Sequence, residues 1–143
     1  MKRIAVIFLV CLAITGCGEK FPAANYDVTG SWLLTKMESS TKAIVVGSET
    51  VDVYIEFLSS GQFNIYQMKG AGRYYHYTGT WTRTNNIVTG SYSDGTPWAC
   101  DYRVFKETEG KTLTMTANNT TREKMTLISA KIPDNIRQEA IDK

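Results

Sequence analysis

The chain has 143 residues, enough for one domain with its own core, and 16 Lys and Arg stand against 14 Asp and Glu. Two of the cations, Lys2 and Arg3, lie at the extreme start, so beyond residue 16 the balance is 14 to 14. A neutral domain without a Lys/Arg cluster lacks the electrostatic footprint of a nucleic-acid binder, and that class is excluded.

Lys2 and Arg3 lead into an apolar run from Ile4 to Ile14. A run of about 11 residues is too short to cross a bilayer and has the proportions of a secretory signal. Its end, Ile14-Thr15-Gly16-Cys17, resembles the bacterial lipoprotein signal, which implies removal of residues 1–16 and lipidation of Cys17 as the first mature residue. Two or more acyl chains hold a protein on a membrane stably, so the expected partner is the membrane itself. Gly18 and Glu19 follow Cys17 where an aspartate would signal retention, which by analogy with enteric sorting favours the outer membrane of the cell envelope. Cys11 would leave with the signal and Cys17 would be acylated, leaving Cys100 without a disulfide partner. Residues 17–27, which include Pro22, read as a lipid-anchored tether reaching at most roughly 35 Å. Residues 28–143 then form a single domain.

From Val28 onward the period is two. Val51, Val53, Ile55 and Phe57 alternate with Asp52, Tyr54 and Glu56, as do Trp98, Cys100, Tyr102 and Val104 with Ala99, Asp101, Arg103 and Phe105. Leu113 with Met115, and Met125 with Leu127, repeat the pattern, and Tyr75, Tyr77 and Trp81 share one phase. Short turns such as Ser59-Ser60-Gly61, Thr84-Asn85-Asn86 and Ser93-Asp94-Gly95 separate the runs and fit hairpins. The pattern predicts eight strands near 29–38, 50–58, 62–69, 73–83, 86–93, 97–106, 111–117 and 122–130. The longer connection at 39–49 contains Ile44-Val45-Val46, which could cover an opening or pair briefly.

Eight sequential strands joined by tight turns imply an up-and-down antiparallel sheet, and closure into a barrel removes its two edges. An eight-stranded barrel has room for packed side chains or one small ligand. Beyond the last strand, Ile132, Ile136 and Ala140 recur at helical spacing, so a helix of about two turns is expected to dock on the barrel wall.

Gly30-Ser31-Trp32 at the start of the first strand matches the Gly-x-Trp signature of lipocalins. Phe57-Leu58-Ser59-Ser60-Gly61-Gln62-Phe63 and Tyr77-Thr78-Gly79-Thr80-Trp81 add a Phe-x-x-x-Gly-x-Phe hairpin and a Tyr-x-Gly-x-Trp segment. Together they resemble small lipocalin-like domain lipoproteins of the Bacteroides type, over residues 28–130. The resemblance implies that Trp32 plugs the closed end of the barrel and that Arg122, from the last strand, covers it through a cation–π contact.

No catalytic constellation stands out, and an enzyme, a metal site and a cofactor are not expected. His76, out of phase with Tyr75 and Tyr77, is expected to face solvent, as are Asp52 and Glu56. Cys100, in phase with Trp98 and Tyr102, reads as a buried and inert small hydrophobe. The candidate ligand-binding set is aromatic: Tyr75, Tyr77, Trp81, Trp98 and Tyr102, joined inside by Phe57 and Phe63. Such rings either fill the barrel or wall a pocket for a small hydrophobic or amphipathic ligand, and the alternation is the same in both cases. The alternative from another class is an envelope protein-interaction module, a stress component or lytic-enzyme inhibitor, acting through the turns at Lys69–Arg73 and Ser93–Pro97.

Overall fold

Threonine, tyrosine and β-branched residues at alternating positions favour a pleated, half-buried surface, and the computed structural model resolves them into a closed barrel. It describes residues 25–39, 43–45, 52–70 and 72–143. Cys11, Cys17, the export segment, most of the tether and Val46 lie outside the described residues. The strands are β1 Gly30–Glu38, β2 Ala43–Val45, β3 Val53–Phe57, β4 Gln62–Lys69, β5 Arg73–Thr84, β6 Ile87–Tyr92, β7 Tyr102–Lys106, β8 Thr112–Ala117, β9 Lys124–Ser129 and β10 Ile141–Asp142, with one helix, α1, at Asp134–Glu139. Eight strands form the wall in the order β5-β4-β3-β1-β9-β8-β7-β6, and β6 pairs back onto β5 to close it. All eight wall pairings are antiparallel. The expected eight-stranded up-and-down barrel with a short C-terminal helix is the architecture that forms.

Two short strands were not among the eight expected. β2 adds antiparallel to the far half of β1, so residues 43–45 take the pairing option left open for the long connection. β10 adds parallel to β5 at Tyr75 and His76, along the stretch of β5 that β6 does not reach. The strand expected at 97–106 begins only at Tyr102, because residues 93–101 form a loop. That loop is pinned by the Ser91–Pro97 bridge and the Trp98 amide bonded to the Gly90 carbonyl.

A bulge in β1 changes which side chains face inward. Leu34 pairs with Leu127, but the next pairs are Lys36 with Thr126 and Met37 with Met125. One extra residue therefore intervenes, and a period-two strand flips its faces when that happens. Lys36 is turned outward, where it bonds Glu38 at 2.7 Å, and Met37 takes the inward place.

One end of the barrel is shut by packing. Phe57, Phe63, Val88, Val104, Leu113 and Leu127 are buried there, together with Val28 and Trp32. The Trp32 indole donates its N–H to the Val28 carbonyl at 2.9 Å, so the ring is both buried and satisfied. Trp32 thus sits at the closed end, as the resemblance implied. Its cationic cover is a different residue. Lys106 Nζ lies 5.5 Å over the ring and also donates to the Asp27 carbonyl at 2.8 Å. Arg122 cannot serve, since it lies in the β8–β9 turn beyond Lys124, which pairs with Glu38 at the opposite end of β1. There Arg122 is exposed, with φ of 46° and its amide bonded to Asn119 Oδ1.

The C-terminal segment docks on the outer wall over β3, β4 and β5. Ile132 and Ile136 bury against Tyr66, with Tyr54, Tyr74 and Ala140 around them. Arg137 of α1 makes a two-pronged pair with Glu56, Nη2 to Oε1 at 2.7 Å and Nη1 to Oε2 at 3.1 Å. Asn64 and Ser31 also donate to that carboxylate. Glu56 was expected on a solvated face; it does point outward, but α1 covers it and leaves its side chain 13% exposed. The hydrogen bond from Arg137 holds its carboxyl below the ordinary value against the desolvating effect of burial.

His76 requires the same correction. It points outward as expected, yet β10 covers it and its side chain is 21% exposed. The ring stacks on Tyr66 with centroids 4.6 Å apart and planes at 10°. Because Asn64 spends its amide N–H on Glu56, it offers its oxygen to His76 Nε2 at 2.8 Å, while Asp142 Oδ1 lies 2.7 Å from Nδ1. Each ring nitrogen thus faces a side-chain oxygen, which fixes the plane of the ring between β4 and β10. Nearby, burial and then the Asp52 charge push the Tyr74 phenol up to about 12, so it stays protonated and donates to Asp52 at 3.1 Å. Asp52, also expected in solvent, is thereby engaged.

Candidate functional site

Among the described residues the barrel is open at the end opposite Trp32, where a cavity of about 400 Å³ runs down its axis. That volume lies toward the small end of the roughly 300–1,000 Å³ typical of small-molecule sites. Its lower wall is aliphatic and aromatic, from Leu34, Ile55, Phe57 and Ile65. Higher up, three methionines stand side by side on adjacent strands: Met37 opposite Met125, and Met125 opposite Met115. All three line the cavity, and Met37 reaches it only through the bulge in β1. Methionine is flexible and polarizable, so this stretch of wall can remould around ligands of different shape.

The mouth is polar. Gln67, Lys69, Tyr77, Tyr92 and Tyr102 line it, with Trp98 and Ala99 from the 93–101 loop. Lys69 Nζ donates to the Tyr77 hydroxyl at 2.7 Å and lies 5.1 Å from the Tyr77 ring centroid. Tyr77 packs edge-on against Tyr92 at 6.3 Å. Burial raises the Tyr92 phenol above its ordinary value. The Tyr102 phenol is raised well above its usual range by burial and then by the neighbouring Cys100. Both phenols therefore remain neutral hydrogen-bonding groups at physiological pH.

Of the five aromatic residues singled out from phase, Tyr77, Trp98 and Tyr102 line the cavity. The other two do not. Trp81 lies lower, edge-on to Phe57 at 5.2 Å, and its indole donates to the Leu58 and Gln62 carbonyls, so it seals the β3–β4 turn. Tyr75 keeps the inward phase but stands at the rim, between Lys69 Nζ at 6.0 Å and Lys143 Nζ at 4.8 Å. Cys100 is half-buried in the mouth loop and not part of a strand, against the expectation of a buried strand residue.

Two glycines shape the aromatic wall. A Cβ on Gly90 would lie 2.6 Å from Trp98 Cε2, and one on Gly79 would run into the Ser91 carbonyl and the Phe63 ring. Only a bare backbone lets Trp98 lie flat on β6 and lets β5 and β6 approach this closely. Trp98 then packs edge-on against Phe57, Phe63 and Tyr102. Its indole N–H is buried without an acceptor among the described residues.

Gln67 and Lys69 were legible as members of the site, since they continue the phase of Phe63 and Ile65. Tyr92 was equally legible, being in phase with Val88 and Gly90. Among the described residues no group of three or more His, Cys, Asp or Glu is placed to hold a metal, and no helix is long and apolar enough to cross a membrane.

No protein-family model matches the chain, and no curated protein is similar to it in sequence. Among solved structures, a lipocalin-like protein from Bacteroides uniformis is similar, with a TM-score of 0.58 and 15% identity. A protein from Bacteroides eggerthii is similar with a TM-score of 0.56 and 16% identity. Each alignment covers 73% of this chain and 100% of the other. At such identity the likeness carries the architecture alone, and it agrees with the closed eight-stranded antiparallel wall: this chain is built as a lipocalin-like β-barrel.

Proposed function

We propose that this protein is a lipid-anchored barrel of the cell envelope that takes one small hydrophobic or amphipathic molecule into its open end and performs no chemistry on it. The observation that carries the reading is the cavity of about 400 Å³, apolar below and polar at the mouth. The hydrophobic driving force for an apolar guest scales with the surface it withdraws from water, and these walls are apolar where a guest would be deepest. The lipoprotein-type segment ending at Cys17 supports placement on the outer membrane.

The test of binding is titration with the neutral fluorescent probe N-phenyl-1-naphthylamine. One saturable site is expected, lost when Met115→Trp fills the cavity while the circular dichroism stays that of a barrel. No saturable binding by the unmodified protein would overturn the proposal. The anchor is tested separately: Cys17→Ser should move the protein from the membrane fraction to the soluble one, and persistence on membranes would refute lipidation.

A further inference from the structure

The cavity wall is chemically uneven along its length, and the unevenness points to the kind of molecule it holds. Below the rim the lining is hydrocarbon and thioether. At the rim the described residues contribute one cation, Lys69, and no carboxylate to the cavity lining. The groove that continues outward past Tyr77 and Tyr92 adds Lys143 and a single carboxylate, Asp94, which is already engaged by the Thr96 amide at 2.8 Å. Lys143 Nζ and Lys69 Nζ flank the same Tyr75 ring.

The hydrogen-bond directions have a sign as well. An ammonium can only donate, so the Tyr77 hydroxyl accepts from Lys69 and has its own proton left to give. Lys69 keeps further N–H groups beyond the one spent on Tyr77. The mouth therefore presents several donors close together, and what they match is a group that only accepts. An alcohol head would use part of this set, and a cationic head would face Lys69 directly.

We propose that the ligand is a single-chain anionic amphiphile, with its carboxylate or phosphate head against Lys69 and the Tyr77 hydroxyl and its tail among Met37, Met115 and Met125. This rests on the binding function proposed above and specifies its ligand class. One narrow cavity suits one chain, not the two of a membrane phospholipid. Lys69 is exposed, so its ion pair gains strength only when a ligand covers it. A charge-assisted hydrogen bond shielded in this way distinguishes charged from neutral heads by about tenfold.

The experiment displaces N-phenyl-1-naphthylamine with four twelve-carbon competitors: dodecanoate, dodecyl phosphate, dodecanol and dodecyltrimethylammonium. The anions should displace the probe at about tenfold lower concentration than dodecanol, and the cation should be weakest. The order of dodecanoate and dodecyl phosphate tells a carboxylate site from a phosphate site. Lys69→Gln should bring the ratio of anion to alcohol affinity close to one, and Lys69→Arg should keep it. Equal displacement by dodecanol and both anions, with the probe still bound, would overturn the anionic assignment and leave the binding function standing. Failure of the probe and all four competitors to bind would remove both.

Discussion

At the scale of single residues, the two tryptophans that face inward from opposite ends have opposite hydrogen-bond status. Trp32 donates to Val28, whereas Trp98 is buried with its N–H unpaired. Replacing each by phenylalanine removes the same ring portion, but only Trp32→Phe strands a buried carbonyl. Urea unfolding should therefore show Trp32→Phe costing about 1–3 kcal/mol more than Trp98→Phe. Gly90→Ala should cost about 1–3 kcal/mol by overpacking against Trp98, with a shift in tryptophan emission as the reporter. The sequence shows why Trp32 could be read and its cover could not. Gly30-Ser31-Trp32 is a local signature, while Lys106 meets Trp32 through two strands that are distant in the chain. The place of Trp81 below the cavity was hidden for a related reason: alternation tells which side of a strand a ring faces, but not how far down the barrel it sits.

At the scale of elements, the C-terminal segment behaves as a strap across β3, β4 and β5. Ile136→Ala should cost about 2–5 kcal/mol, a buried large-to-small change, and expose the Tyr66 face. The Glu56–Arg137 pair gives the strap an acid limit. The folded carboxyl titrates below its ordinary value of 4.5, so its contribution is fully present above that pH and fades as pH falls through the depressed value. Stability measured against pH should therefore drop below about pH 4.5 in the native chain, and Glu56→Gln should flatten that limb. His76→Phe keeps a flat ring for Tyr66 but discards the polar contacts to Asn64 and Asp142, so it should speed hydrogen exchange at the Lys143 amide, which bonds the His76 carbonyl. Helical spacing at Ile132, Ile136 and Ala140 made the docking of α1 readable. The covering of His76 was not, because a two-residue parallel strand leaves no periodicity behind. The bulge in β1 was equally silent, since a strict alternation from Trp32 and Leu34 carries Lys36 inward instead of Met37.

At the scale of the whole molecule, a barrel with one sealed and one open end gains stability from whatever fills it. A guest at a hundred times its dissociation constant should add about 2.7 kcal/mol, seen as a melting temperature that climbs with ligand concentration. The closed barrel could be anticipated because eight runs with short turns have few other ways to hide their edges. Whether its interior was full could not, since that depends on side-chain volumes summed over strands far apart in sequence.

The pairing of β1 with β9, the first and last strands of the wall, has a consequence for the order of synthesis. The seam joins Trp32 to Ser129 and Glu38 to Lys124, so no ring can exist until nearly all of the chain has left the ribosome. Distant pairings of this kind are slow to form. A nascent chain held open so late carries unpaired strand edges until its synthesis is almost complete, the condition under which β-rich chains are most prone to aggregate.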